Sequence, residues 1–430
     1  MQKTLFVTHW PGGGVWGLAQ LVQAAYTEEV TGMRMADLSD LHISSSIGSL
    51  AANALLVPSD VNPSVPKFQA NDLIDPFKEC AAQMFGPDGI KAHYTHAVKR
   101  DLAKLIKGEN GGLLRGGIAR FLSSPKQAIH KPHHLMGIFL ENYLGDIPMD
   151  DLLKSSIVYA HNMDRVERVC FASLKQDRFD SDAWDAEIIP NHGSHHRLRD
   201  IIMATTAAPT VFGSVEIDGK NYLDLDHQHS PNGALTLAIE SLRPHSAPTP
   251  ILSAYGPPKP SVKMLKITCG KESELRWDSA LYNQQGPLAM MQDLNRMTAR
   301  DQQNIDHRLL RKMIGPDNIT WIGTDMSELP DCETDQSPSP SLFNGNRSNL
   351  EKIQDRARTY AAMQHDAIMR YADTVTETRA SEGSVDALTA FAPAANCNEP
   401  RQTDNQDQAE PLPTQPQRWG LGRLLRRAPR

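Results

Sequence analysis

Cysteine is scarce: Cys80, Cys170, Cys269, Cys332 and Cys397 are the only five in 430 residues. They lie far apart, with no CxxC and no metal-ligand spacing, and an odd number argues against a disulfide framework. Reduced thiols in a cytoplasmic setting are the expectation. An excess of basic charge is missing too. Against 44 Lys+Arg stand 51 Asp+Glu, for a formal charge of −7, so no nucleic-acid partner is expected. No apolar run approaches the roughly 18 residues of a membrane span. The opening MQKTLFVTHWPGGG has one lysine and a short apolar stretch before its glycines. It reads as a first core strand and lacks the form of a signal peptide, so export would need another route. No internal repeat is visible.

What is present is ordinary for a globular chain: 40% hydrophobic and 22% charged residues. The length suits one large α/β domain or two smaller ones. Thr4–Trp10 is a β-rich run ended by Pro11 and three glycines, which predicts a buried strand. Residues 16–28 carry helical spacing, Leu38–Ile43 a second strand and Leu50–Leu56 a compact helix. This alternation predicts an open parallel sheet, with any site beyond the carboxyl ends of its strands. Residues 66–155 are mostly helical in pattern, with a loop signal at 124–135. Ser156–Ala160 and Val166–Ala172 read as strands, residues 197–209 as a helix ended by Pro209, and 215–226 as a hairpin turning at Asp218-Gly219. VKMLKITCG is a core strand closed by Gly270, residues 278–313 look helical, and NITWIGTD is a late strand. Residues 331–346 are a linker by composition, and 348–374 a single long amphipathic helix. Beyond about residue 390 the chain is rich in Asn, Gln, Asp and Pro and cannot bury a core. The expected division is therefore one domain over 1–378, closed by the 348–374 helix, and a disordered tail over 379–430 with a basic end.

Three consecutive serines, Ser44, Ser45 and Ser46, end the second strand. A strand-to-helix turn can expose a strained nucleophile, and it needs small residues two before and two after it. Ser45 would place Ile47 at plus two, and Ser44 would place His42 at minus two. Only Ser46, between Ser44 and Gly48, fits. A plain helix N-cap is the alternative use of such serines. The glycine run PGGGVWG also has two readings. Gly12, Gly14 and Gly17 match the dinucleotide pattern GxGxxG, but Asp37, near the spacing of the acidic partner, precedes its strand. Alternatively, converging backbone N–H groups form an oxyanion hole beside the serine turn, an arrangement suited to acyl transfer.

Several stretches, in order, resemble the patatin-like phospholipase family. PGGGVWG is similar to its glycine-rich oxyanion loop, SSSIG to its GxSxG elbow, and ATTAAPTVFGSVEIDGKNYLD to the segment leading into its Asp-Gly-Gly/Ala motif. MLKITCG and the late helix resemble later core elements, so the resemblance spans roughly residues 1–375. It implies a three-layer α/β/α sandwich with a mainly parallel central sheet. It further implies a Ser–Asp dyad of Ser46 and Asp224, and an oxyanion hole built from Gly12, Gly13 and Gly14. The reaction implied is hydrolysis of membrane phospholipids or other acyl lipids through an acyl-serine, with no metal and no cofactor. The chain departs from the family pattern at Pro11, Trp16 and Ser44, and at Leu225 and Asp226 after the aspartate. A catalytically silent relative that binds lipid or a protein partner is the reading from another class.

His227 and His229 permit a Ser-His-Asp arrangement with Asp226, or are simply loop histidines. HKPHH (130–134) fits no common zinc spacing and reads as a solvated loop. The helical region 66–155 is either a lid or a set of packing helices. The terminal RWGLGRLLRRAPR is a basic tail, either solvated or in peripheral contact with an anionic membrane.

Overall fold

A computed structural model of the chain describes residues 4–86, 126–175, 195–224, 261–271, 308–325 and 334–382, apart from residues 210, 313 and 340. Met1–Thr389 forms one compact unit. Ala390–Arg430 forms a second, which lies outside the described residues.

Strand β1 (Thr4–Trp10) gives way at Pro11 to a glycine loop, a 3-10 turn (Gly14–Trp16) and helix α1 (Gly17–Thr31). The helix stops where Gly32 turns left-handed at φ 68°, its N–H bonded to the Glu28 carbonyl, as glycine past a helix end commonly does. Strand β2 (Leu41–Ser45) runs directly into α2 (Ser46–Ala54), so that helix begins four residues before its first clear apolar run at Leu50. Then come α3 (Ala70–Phe85), α4 (Lys126–Leu144), β3 (Ser155–Asn162), β4 (Glu167–Ser173) and α5 (Leu198–Thr205). The hairpin β5 (Val215–Ile217) and β6 (Lys220–Leu223) follows, then β7 (Ser261–Lys271), β8 (Ile319–Asp325), α6 (Arg347–Met363) and α7 (His365–Ser381).

The eight strands form one sheet in the order β5-β6-β3-β2-β1-β7-β8, with β4 added beside β3. The pairs β3–β2, β2–β1, β1–β7 and β7–β8 are parallel, whereas β4 and β6 run antiparallel to β3. Side chains alternate across each strand and so divide the core. Phe6, Trp10, Val158, Phe171, Leu265 and Ile267 face the helices α1–α7. Leu5, Val7, Leu41, Ile43, Ile157 and Met264 face the other way, against Leu310 and Ile314 of a segment described as helical over 308–312. The architecture is the expected α/β sandwich, with helices on both sides of a mainly parallel sheet.

Three elements differ from the sequence reading. Residues 348–374 are not one helix: α6 and α7 meet at Gln364, whose backbone (φ −102°, ψ 12°) leaves the helical region. Its side-chain amide bonds both main-chain groups of Gly323 in β8, accepting from N–H at 3.0 Å and donating to C=O at 2.9 Å. The break lets α7 return to the sheet, where Arg379 pairs with buried Asp40 at 3.3 Å and Asp40 in turn accepts the Phe6 N–H. The HKPHH segment is helical, inside α4. His133 is buried there, stacked on Phe212 at 4.8 Å, with Nε2 3.3 Å from the Met203 carbonyl. Tertiary packing thus overrides the proline and histidine signals of a solvated loop. Finally, the stretch expected as a linker is in part a strap laid on the domain. Trp16 Nε1 donates to the Ser339 carbonyl at 3.2 Å, and Gly345 N–H to the Phe85 carbonyl at 3.1 Å.

Gln364→Ala removes both bonds to Gly323, and each hydrogen bond is worth about 1 kcal/mol net. A loss of about 1–3 kcal/mol in unfolding free energy is expected by urea denaturation. An unchanged midpoint would mean that the helix break is set elsewhere.

Candidate active site

The site forms at the carboxyl ends of adjacent parallel strands. Trp10 of β1 registers with Ser44 of β2, so the glycine loop after one strand lies beside the serine turn after the other. Ser46 is one of three described non-glycine residues with positive φ, at 49°. A left-handed backbone costs a residue with a Cβ roughly 1–2 kcal/mol, so the surroundings must hold it in place. The Ser46 N–H donates to Thr205 Oγ1 at 2.8 Å, and Thr205 Oγ1 donates onward to the Tyr159 carbonyl. The end of α5 is thereby fixed to both β3 and the turn. Ser49 Oγ donates to the Ser46 carbonyl at 2.6 Å. Beneath them Asn53 joins Ser156, the Ser49 carbonyl and Ser44.

Gly48 sits against the end of β1. A Cβ there would stand 2.3 Å from the Trp10 carbonyl oxygen and 2.6 Å from that of Pro11. The plus-two position accordingly has no room for a side chain. Ser44, at minus two, is tolerated because its hydroxyl is used: it points at the Ile157 carbonyl, 3.4 Å away. The N-cap alternative does not describe this turn. The cap position of α2 is Ser45, which makes no side-chain capping bond.

The Ser46 hydroxyl instead donates to Asp224 Oδ2 at 2.6 Å, across 178 residues of sequence. Sheet topology brings the two together. Strand β4 takes one edge of β3 along residues 156–162, whereas β2 pairs on the other edge only as far as Tyr159. β6 pairs with His161 and Asn162, which places it on the same edge as β2, beyond the point where β2 ends. The antiparallel hairpin therefore delivers the residue after Leu223 onto the serine turn. Its own turn is the expected one, with Asp218 and Gly219 at φ 49° and 73°, a two-residue type matched to strand twist. The Asp224 N–H donates to the Ala207 carbonyl at 3.0 Å. Both side chains are nearly enclosed, Ser46 at 9% and Asp224 at 6% exposure. A hydroxyl bonded to a carboxylate in such surroundings can give up its proton to it.

The glycine loop is braced from two sides. Gln20 donates from one amide to the Pro11 carbonyl at 2.8 Å and to the Ile267 carbonyl at 3.0 Å, tying the loop to β7. A Cβ on Gly13 would lie 2.2 Å from Cys269 Sγ, and one on Gly14 2.2 Å from the Leu342 carbonyl oxygen. The Val15 N–H donates to that Leu342 carbonyl at 2.8 Å. Among the described residues, nothing accepts from the N–H groups of Gly13 or Gly14, whereas Gly12 has a partner of its own. Trp16 is fully buried. Below the loop, Trp10 Nε1 donates to His42 Nδ1 at 3.1 Å. Burial, and secondarily Lys154, lower the His42 pKa to about 3, so that ring stays neutral and free to accept.

Sequence reasoning did not anticipate Thr205, Asn53, Gln20 or the Leu342 contact. Thr205 lies inside the quoted ATTAAP stretch, but only the fold gives its hydroxyl a function. Leu225, Asp226, His227 and His229 lie outside the described residues.

No known protein family matches the chain, and no curated protein does. Among solved structures it is similar to VipD from Legionella pneumophila, at 14% identity and a TM-score of 0.31, over 87% of this chain and 67% of that one. It is also similar to human GIVD cytosolic phospholipase A2 in complex with methyl gamma-linolenyl fluorophosphonate, at 12% identity and a TM-score of 0.40. That match covers 88% of this chain and 60% of the human one, so this chain spans less than two thirds of the human enzyme's length. A further structure of the human protein matches at 10% identity and a TM-score of 0.36, over 87% of this chain and 63% of the other.

Gly48→Ala forces a methyl into the Trp10 carbonyl. Overpacking of this kind costs about 1–3 kcal/mol, and the backbone contact leaves little room for relief. The expected result is a lowered melting temperature by scanning calorimetry. A variant as stable as the parent would show that the turn can relax.

Proposed function

We propose that the protein is a serine acyl-ester hydrolase. The observation that carries this reading is the 2.6 Å bond from Ser46 Oγ to Asp224 Oδ2, made by a serine held at φ 49°. Strain retained at a buried polar position points to function.

The geometry supports the following mechanism. Ser46 Oγ attacks the ester carbonyl carbon while its proton passes to Asp224. The carbonyl oxygen becomes an oxyanion, for which the N–H groups of Gly13 and Gly14, in the loop after the adjacent strand, are the proposed donors. As the tetrahedral species collapses, the carbon–oxygen bond to the leaving alcohol breaks, and Asp224 returns the proton to that alcohol. Water then attacks the acyl-serine, giving its proton to Asp224, and the carboxylic acid departs as Ser46 regains its hydrogen. Every proton is carried by Asp224, so the cycle needs neither metal nor cofactor. Membrane phospholipids or related acyl lipids are the proposed substrate class, which rests on the motif resemblance.

One observation favours the catalytically silent alternative: the strap already occupies the Val15 N–H, next to the glycine run, through the Leu342 carbonyl. A fluorophosphonate probe separates the two readings. Labelling at Ser46 supports the hydrolase, and repeated failure with folded protein supports the binder.

Ser46→Ala is expected to reduce hydrolysis of a phospholipid panel by at least about 10⁴-fold. Asp224→Asn, which keeps the shape but loses the base, should cost about 10²–10⁴-fold. Product fatty acids are followed by mass spectrometry, with circular dichroism confirming the fold. Full activity in either variant sinks the dyad.

A further inference from the structure

We infer that His195, His196 and Asp218 form a binding site for a divalent transition-metal ion of the zinc class, clasping the β5–β6 turn to the segment that leads into α5. The site is separate from the Ser46–Asp224 pair and does not depend on the hydrolase reading.

One donor atom from each of the three residues lies within 4.8 Å of the others. Two imidazoles and one carboxylate form a nitrogen-rich set that suits zinc over the oxygen-preferring calcium and magnesium. Bonds of about 2.0–2.2 Å in a tetrahedron require donors roughly 3.3 Å apart. The remaining approach falls to the side chains of His195 and Asp218, both exposed and able to rotate. Three protein ligands leave the fourth position for water.

The backbone under the cluster is already fixed. His196 stands edge-on to Phe171 at 5.9 Å, and its carbonyl accepts the Met149 N–H at 3.1 Å. Its neighbour Arg197 makes an isolated bridge to Pro148. Asp218 is held in the left-handed first position of the hairpin turn, with Oδ2 3.7 Å from His196 Nε2. The His195 and His196 rings are 4.2 Å apart, close enough to face one ion. Two neighbouring arginines are already paired with carboxylates. Arg197 pairs with Asp146 at 3.1 Å, and Arg199 with Glu141 at 3.3 Å and Asp146 at 3.2 Å.

Zinc chloride titrated into the full chain by calorimetry, after chelator treatment, should reveal one saturable equivalent. His195→Ala and Asp218→Asn are each expected to weaken that binding by about tenfold or more. Asparagine tolerates positive φ, so the second variant keeps the turn. His134→Ala, at an exposed histidine of α4 outside the cluster, should leave the affinity unchanged. Circular dichroism establishes that each variant is folded. Absence of a saturable equivalent, or parental affinity in either His195→Ala or Asp218→Asn, overturns the site.

Discussion

The left-handed backbone at Ser46 is the constraint around which the described part of this fold is arranged. It turns the chain from β2 into α2 without a loop, and it points the serine side chain out of the sheet. Nothing local favours it, because a serine gains no steric relief at positive φ. The turn persists because neighbours from four separate elements fix it. Thr205 at the end of α5 takes its N–H, and β1 presses its terminal carbonyls against Gly48. Ser49 within α2 takes its carbonyl. Asn53 and Ser156 tie that helix to β3. The contacts made by Thr205, Ser49, Asn53 and Ser156 are buried hydrogen bonds, so losing one would leave a partner unsatisfied in a dry environment. The strain is thereby spread over many groups that cannot relax separately.

The same logic extends to Asp224. A parallel sheet ends all its strands on one side, and an antiparallel hairpin paired beyond the end of β2 is a direct way to bring a distant residue onto that side. The hairpin needs β3 to outrun β2, which it does: β3 continues to Asn162, while its pairing with β2 stops at Tyr159. The short strand β6 has only two residues paired to β3, so its position also relies on the β5 partner and on the Asp224 N–H bond to Ala207. Helix α5 is the shared support. Its end bonds the serine turn through Thr205, and Ala207, two residues beyond that end, accepts the aspartate N–H.

Much of this was legible in the sequence because it is local. The strand over Thr4–Trp10 ends where Pro11 and the glycines end it, and Asp218-Gly219 sets its turn by backbone preference alone. The choice of Ser46 over its two neighbours followed from the size of flanking residues, and Gly48 meets the Trp10 carbonyl as that rule requires. What was not legible depends on partners far along the chain. The break at Gln364 arises from a β8 glycine 41 residues away, and no helical periodicity shows it. The strap over 334–346 has the Pro, Ser and Asn content of a linker, yet Ser339 and Leu342 lend main-chain carbonyls to Trp16 and Val15. His133 reads as solvated until Phe212 is placed against it. Composition reports what a segment would do alone, and these segments are not alone.

The glycine run illustrates how a motif and its meaning separate. Three adjacent glycines suggest backbone donors converging on an anion, but packing alone would also demand them here. Gly13 meets Cys269 and Gly14 meets Leu342, each at a distance no Cβ could keep. The motif is therefore weak evidence for chemistry by itself. Trp16 supports the packing side: its indole is fully buried and donates to the Ser339 carbonyl of the strap. Ser46 is different in kind. Packing explains why Gly48 and Ser44 are small, but it supplies no reason for a buried hydroxyl on a strained backbone to meet a carboxylate 178 residues away. A core would be better served by an apolar pair at both positions. The weight of the functional reading thus rests on the serine and the aspartate, with the glycine loop as a scaffold compatible with it.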